Sequence, residues 1–335
     1  MSPANHDTPL RFALIGAGRI GMTHLEALAG CPGTALVAIV EPREAVGAAL
    51  AEENRCLHLA DWQDPRLAKL CDAAIICTPP VTHHPIARSL LEAGCHVLCE
   101  KPLTIEHRHA QELAETARAH GAVLMMASKF RFVDDVIKAK AIVEAGILGR
   151  VVFYENAFCA FVDMSERWNA DPEIAGGGVL IDNGTHALDL ARFLLGSIRD
   201  VHAQRGLPVQ KLPVEDSVRV MFRSGSGVVG LIDLSWSLQK ETDAYVSLYG
   251  TEGTLHIGWA GSRYRQRGHS QWIPFGRGYD KLAAFRRQIE NFRDTIRGHD
   301  RPVITPEAAV LSVRAVEAAY ASIEGDRWVP IEDAG

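Results

Sequence analysis

Short apolar runs recur through the first part of the chain at intervals that suit alternating strands and helices. Phe12–Ile15, Ala35–Val40, Ala73–Cys77, His96–Cys99 and Val123–Met126 read as buried strands, and Met22–Ala29, Pro42–Glu53, His84–Ala93 and Ile105–Ala119 read as the helices between them. That alternation predicts a doubly wound parallel sheet with helices on its faces. From about Arg150 apolar and polar residues alternate instead, through Val151–Val162, Asp200–Ala203, Val218–Arg223, Val228–Ser235, Tyr245–Tyr249 and Leu255–Ile257. Ser224-Gly225-Ser226-Gly227 and Gly250-Thr251-Glu252-Gly253 sit between such runs as hairpin turns. Two helices close the chain, Lys281–Arg297 and one opening at Thr305-Pro306-Glu307. The pattern predicts an α/β domain over residues 1–128 and an α+β domain with a large open, mostly antiparallel sheet over 129–335, the C-terminal helix packing back on the first. A sheet with so few covering helices leaves a face to bury. A homo-oligomer, dimer or tetramer, formed through that sheet is therefore expected.

The turn after the first run sharpens this picture. Phe12–Ile15 leads into Gly16-Ala17-Gly18-Arg19-Ile20-Gly21 and then a helix, the strand, glycine turn and helix of a dinucleotide-binding Rossmann unit. Gly16 permits the tight turn, Gly18 lets the backbone approach a pyrophosphate, and Gly21 lets helix and strand pack closely. The second strand ends at Glu41, where a carboxylate accepts hydrogen bonds from the adenosine ribose and repels a 2′-phosphate. NAD is therefore favoured, with NADP as the alternative because Arg43 softens the preference.

Composition narrows the partner. The chain has 335 residues, 47% of them hydrophobic, which supports two substantial cores. Its net charge of −6, with acids and bases interspersed, lacks the basic footprint of a nucleic-acid binder. Ala122–Ala127 and the other apolar stretches fall far short of the roughly 20 residues that span a bilayer, and Met1–Leu10 lacks the regions of a signal peptide. A cytoplasmic location, no membrane role and a small-molecule partner are expected. Seven cysteines without CxxC spacing read as reduced core thiols, with no zinc or other metal site.

Two segments carry candidate chemistry. Gly176-Gly177-Gly178 opens a stretch in which Asp182, His186 and Asp189 fall on one face if it is helical, so that His186 is a candidate general base. Asp182 either orients it or bonds a neighbouring substrate hydroxyl, whereas Asp189, a further turn away, reads as structural. Gly184 serves either a close approach of ligand or tight helix packing. In Glu100-Lys101-Pro102, Lys101 follows directly on a strand, where its ammonium can stabilise an alkoxide. His84, followed by Pro85, reads as a helix start.

These motifs resemble a known family. Gly16-x-Gly18-x-x-Gly21, Thr78-Pro79 with His83, Ala93-Gly94 before His96-Val97 and Glu100-Lys101-Pro102, Phe130-Arg131-Phe132, and the glycine-led stretch to Asp189 are similar in order and spacing to the glucose–fructose oxidoreductase/inositol dehydrogenase/rhizopine catabolism family. The likeness spans about residues 10–325. The resemblance implies NAD(P)-dependent interconversion of a secondary alcohol and a ketone on a sugar, polyol or inositol. It places Lys101, Asp182 and His186 at the reacting centre, with Gly16, Gly18, Arg19, Ile20, Gly21, Glu41, Thr78, Pro79, His83, Glu100 and Lys101 around the cofactor. Lys129, Arg131, Trp168 and Asn169 are substrate-pocket candidates beside Asp182 and His186. Pro80, Lys129 and Asn169 depart from residues frequent in the family, Pro80 by removing a side chain that could bond the cofactor. A double-bond reductase like biliverdin reductase and a cofactor-sensing regulator without turnover are the alternatives.

Overall fold

The computed structural model describes residues 8–331, which divide into two compact units. One comprises the chain up to Thr104, Arg108–Ala127 and Leu282–Ala309; the other comprises Ile105–His107, Ser128–Lys281 and the chain from Val310. By its packing, therefore, Leu282–Ala309 belongs with the N-terminal unit.

In the first unit the strands are β1 (Leu10–Ile15), β2 (Thr34–Val40), β3 (Leu57–Leu59), β4 (Ala73–Ile76), β5 (His96–Glu100) and β6 (Leu124–Ala127), interleaved with α1 (Arg19–Ala29), α2 (Glu44–Glu53), α3 (Leu67–Leu70), α4 (His83–Glu92) and α5 (His107–Ala119). All neighbouring strands are parallel, in the order β3-β2-β1-β4-β5-β6. This is the doubly wound sheet the alternation predicts, and strand order reverses between β1 and β4, where such sheets bind ligands. The short β3 and α3 were not expected, because three or four residues carry too little periodicity to register. Phe12, Leu14, Ile39, Ile75, Val97 and Met125 are buried in the sheet. The helix Lys281–Ile296 adds Phe285 and Phe292, the latter edge-on to Phe12.

In the second unit, β7 (Val151–Cys159), β8 (Ile198–Arg205), β9 (Ser217–Ser224), β10 (Val229–Ser235), β11 (Val246–Gly250), β12 (Gly253–Ile257), β13 (Ser262–Gln266), β14 (Ile273–Gly276) and β15 (Val329–Pro330) form one sheet. Only β7 and β10 pair in parallel, so the sheet is mostly antiparallel, as expected. Both glycine turns join antiparallel neighbours, β9 to β10 and β11 to β12. Along β7, Tyr154, Asn156 and Phe158 are buried, while Phe153 and Glu155, on the alternate positions, are exposed. The buried face is covered by helices including α6 (Asp134–Glu144) and α8 (Thr185–Leu195), with α7 (Pro172–Ala175) before the glycine-rich stretch. On the other face Phe153 and Met221 are exposed among the ion pairs Asp200–Arg223 and Asp233–Arg219. All seven cysteines are free, five of them buried, and Cys71 and Cys95 keep their sulfurs 3.6 Å apart, so thiols rather than a disulfide framework fill these positions. Among the described residues no helix is long and apolar enough to cross a membrane.

Candidate functional site

The glycine turn is built for a ligand. Gly16 has φ +91°, and a Cβ there would lie 3.0 Å from the Cys77 carbonyl. A Cβ on Gly21 would lie 2.2 Å from the Gly16 oxygen. Gly18 differs, since a Cβ there meets nothing within 4 Å. Gly16 and Gly21 are thus required by the local geometry, whereas Gly18 faces open space. Gly18 also begins α1 without a side-chain cap and without an acidic residue in the first turn, so the helix end at Arg19 and Ile20 is left for an anion. The residues present therefore fit a dinucleotide pyrophosphate.

Glu41 follows β2 and is buried, as a ribose ligand should be, but its carboxylate already has partners. It accepts from the Ala17 N–H at 2.9 Å, the Arg43 N–H at 3.1 Å and the Arg43 guanidinium at 2.7 and 3.0 Å. Chiefly through the Arg43 guanidinium, its pKa falls to about 2. Glu41 thus ties the glycine turn to β2, and its negative charge is neutralised by an arginine whose side chain remains 60% exposed. The repulsion of a 2′-phosphate inferred from Glu41 alone is correspondingly weakened.

At the ends of β4 and β5 a second framework forms. His83 is buried, with Nδ1 2.8 Å from the Pro102 carbonyl and Nε2 2.8 Å from the Thr78 carbonyl. Burial lowers the pKa of the ring and these carbonyls oppose that shift. Instead of presenting a ring nitrogen outward, His83 pins the Thr78-Pro79 loop to the corner at Pro102. Pro80 opens a short 3-10 turn before α4, and Thr78 accepts from the Thr82 hydroxyl. Glu100 is buried as well; its Oε1 pairs with Nε2 of the fully buried His24 at 2.8 Å, and its Oε2 accepts from the Lys101 N–H at 3.1 Å. His24 had no assigned role from sequence, yet it anchors the carboxylate beside Lys101. The only hint was its place one helical turn after Ile20.

In the other unit the acid–histidine stretch is not a regular helix. Leu180–Gly184 forms a π-helical turn and α8 begins at Thr185, so the interval from Asp182 to His186 runs through that wider turn rather than along one straight face. Such turns concentrate at functional sites. Glu215 holds the turn in place, accepting from the Gly178 and Leu180 N–H groups at 3.1 Å and from the Tyr320 hydroxyl at 2.8 Å. A Cβ on Gly178 would lie 2.2 Å from the Glu215 carbonyl oxygen, and one on Gly184 would press on Leu180 and Leu234. Packing therefore accounts for Gly184.

His186 is buried with its ring edge-on to Phe130, 5.1 Å between centroids. Phe130 in turn stacks on Phe158 and Tyr279 and contacts Tyr245 and Trp259. The ammonium of Lys129 lies 5.5 Å from the Phe130 centroid, so this candidate stands beside the ring that touches His186. Trp168 and Asn169 lie on a separate short turn, Trp168–Ala170, with Trp168 exposed. Asp189, read as structural, is fully buried and receives the Ser128 hydroxyl and the Arg131 guanidinium, the latter at 2.9 and 2.6 Å. Arg131, a substrate-pocket candidate, forms a buried ion pair with Asp189, because a desolvated aspartate demands such a partner. The aromatic wall escaped sequence analysis since its rings come from positions far apart in the chain.

Comparison with known proteins follows this division. A model of the oxidoreductase family with an NAD-binding Rossmann fold matches residues 10–128, and a model of the Gfo/Idh/MocA C-terminal domain matches residues 136–256. The chain is 34% identical to D-glucoside 3-dehydrogenase of Escherichia coli (strain K12) over 211 residues, which is 61% of this chain and 59% of that enzyme. It is 25% identical to inositol 2-dehydrogenase of Rhizobium meliloti (strain 1021), covering 96% of this chain and 99% of the other. Its fold matches that of levoglucosan dehydrogenase in complex with NADH and levoglucosan with a TM-score of 0.89, at 22% identity over 97% of this chain and 100% of that one. With its parallel sheet and its open sheet each matched to the corresponding domain, this chain belongs to the Gfo/Idh/MocA family of oxidoreductases with an NAD-binding Rossmann fold.

Proposed function

We propose that the protein is an NAD(P)-dependent dehydrogenase that interconverts a secondary alcohol and a ketone on a sugar, glucoside or polyol, with residues 1–128 serving the cofactor and 129–335 the substrate. The observation that carries this reading is the open glycine turn at Gly18 on a sheet whose family binds NAD. The relatives that act on D-glucosides and inositol support the substrate class. When bound, the nicotinamide supplies the hydride acceptor. His186, the buried histidine on the aromatic wall, takes the proton of the substrate hydroxyl, and Lys101 stabilises the oxygen as its charge develops. Asp182 orients His186 or holds a neighbouring hydroxyl. The same groups run in reverse reduce a ketone. Because Arg43 neutralises Glu41, both NAD and NADP are accepted. A cytoplasmic location, and subunit pairing through the open face bearing Phe153 and Met221, complete the proposal.

The test is turnover of purified protein with either cofactor against a panel of sugars, glucosides and polyols, followed by absorbance of the reduced cofactor. His186→Ala and Lys101→Ala should each lower kcat by at least about a hundredfold with cofactor affinity kept. Cofactor binding without turnover across the panel would favour a sensing role, and near-normal turnover in either variant removes that residue from the reacting set.

A further inference from the structure

The wall against His186 extends beyond what one small ring would cover. Phe130 contacts both His186 and Trp259, the latter at 6.2 Å between centroids, so one ring links the indole to the histidine. Its own neighbours are Tyr245 at 4.5 Å and Tyr279 at 5.5 Å. Yet Trp259 is 48% exposed, whereas Phe130, Phe158 and Tyr245 are buried.

The backbone that carries this exposed indole is tied down. The Tyr279 N–H donates to the Trp259 carbonyl at 2.9 Å, and a Cβ on Gly278 would lie 2.3 Å from that same oxygen, so the two loops are locked together. Beneath them Asp135, 1% exposed, accepts from the Ser262 hydroxyl at 2.5 Å, the Gly278 N–H at 2.8 Å and the Arg277 N–H at 3.1 Å. The Tyr245 hydroxyl is buried within the cluster and has no hydrogen-bond partner among the described residues. An exposed indole beside loops that a buried carboxylate ties down is a preorganised contact, and such anchors dominate recognition energies.

We propose that Trp259 is a stacking platform for a second ring of the substrate, the aglycone of a glycoside, while the ring being oxidised lies at His186. The proposal rests on the reading that His186 stands at the reacting centre. A free monosaccharide or inositol would leave the indole uncovered; a glycoside with a flat aglycone covers it and gains both apolar burial and ring stacking.

Binding, which needs no turnover, tests it. The affinities of methyl β-D-glucopyranoside and phenyl β-D-glucopyranoside for the NADH-loaded protein are measured by calorimetry in the wild type, Trp259→Ala and Trp259→Phe. The wild type should bind the phenyl glucoside roughly three- to tenfold more tightly than the methyl glucoside. Trp259→Ala should abolish that ratio with methyl glucoside affinity unchanged, and Trp259→Phe, which keeps a ring, should retain part of it. Equal affinities in the wild type, binding of neither glucoside, or a ratio that survives in Trp259→Ala overturns the proposal. Preferential binding lost in Trp259→Ala, but without turnover of any sugar, glucoside or polyol with either cofactor, would uphold the stacking role and refute the dehydrogenase reading.

Discussion

Breaking the Arg131–Asp189 pair should cost far more than its single link suggests. The side chains are 8% and 1% exposed, and the guanidinium meets the carboxylate through two nitrogens while Ser128 donates to the same group. A solvent-exposed pair would contribute about 0–1 kcal/mol. Here Asp189→Ala strands a buried cation, and Arg131→Met strands a buried anion, for which the expected loss is about 3–5 kcal/mol. For a cooperative unit of this size that corresponds to a fall of roughly 6–20 °C in Tm. The pair also joins the segment carrying Lys129 and Phe130 to the helix carrying His186, so turnover should fall alongside stability. Denaturant and thermal unfolding of both single variants and of Arg131→Met/Asp189→Leu provide the assay. The double variant should recover most of the loss, because apolar groups replace both charges at once. If either single substitution costs under about 1 kcal/mol, or the double variant is as unstable as the singles combined, the pair is not desolvated as argued.

Arg43→Ala should unmask the Glu41 charge and shift the kcat/KM ratio toward NAD by roughly tenfold, while Glu41→Ala shifts it toward NADP; unchanged ratios in both would show that another residue reads the ribose. Glu41 has its pKa depressed from 4.5 to about 2. Its contribution to stability is therefore full above about pH 4.5 and lost as pH falls through about 2, and with Arg43 well exposed that contribution is only about 1 kcal/mol. The stability difference between wild type and Glu41→Gln should accordingly shrink across that window, and a difference independent of pH would contradict the assignment. Gly21→Ala places a Cβ 2.2 Å from the Gly16 carbonyl, so it should weaken cofactor binding by at least tenfold and cost about 1–3 kcal/mol; unaltered cofactor affinity would show that the turn yields.

The features that are local can be read along the chain. Apolar periodicity specified five of the six parallel strands and both glycine-turn hairpins, because side-chain alternation and turn geometry are written into neighbouring residues. The glycine turn is legible for the same reason: the positive φ of Gly16 and the Gly16 oxygen facing Gly21 are set within one strand–helix unit, although Cys77, at the end of a neighbouring strand, also crowds Gly16. For Glu41 the pattern gives the position and not the Arg43 fork that neutralises it. Which distant groups share a dry environment is set by the fold. Arg131 meets Asp189 across 58 residues, and Phe158, Tyr245, Trp259 and Tyr279 come from separate elements to pack on Phe130, the ring that touches His186. Burial sets those partnerships, because a desolvated charge or ring must be satisfied by whatever packs against it, and no spacing along the chain records what that is.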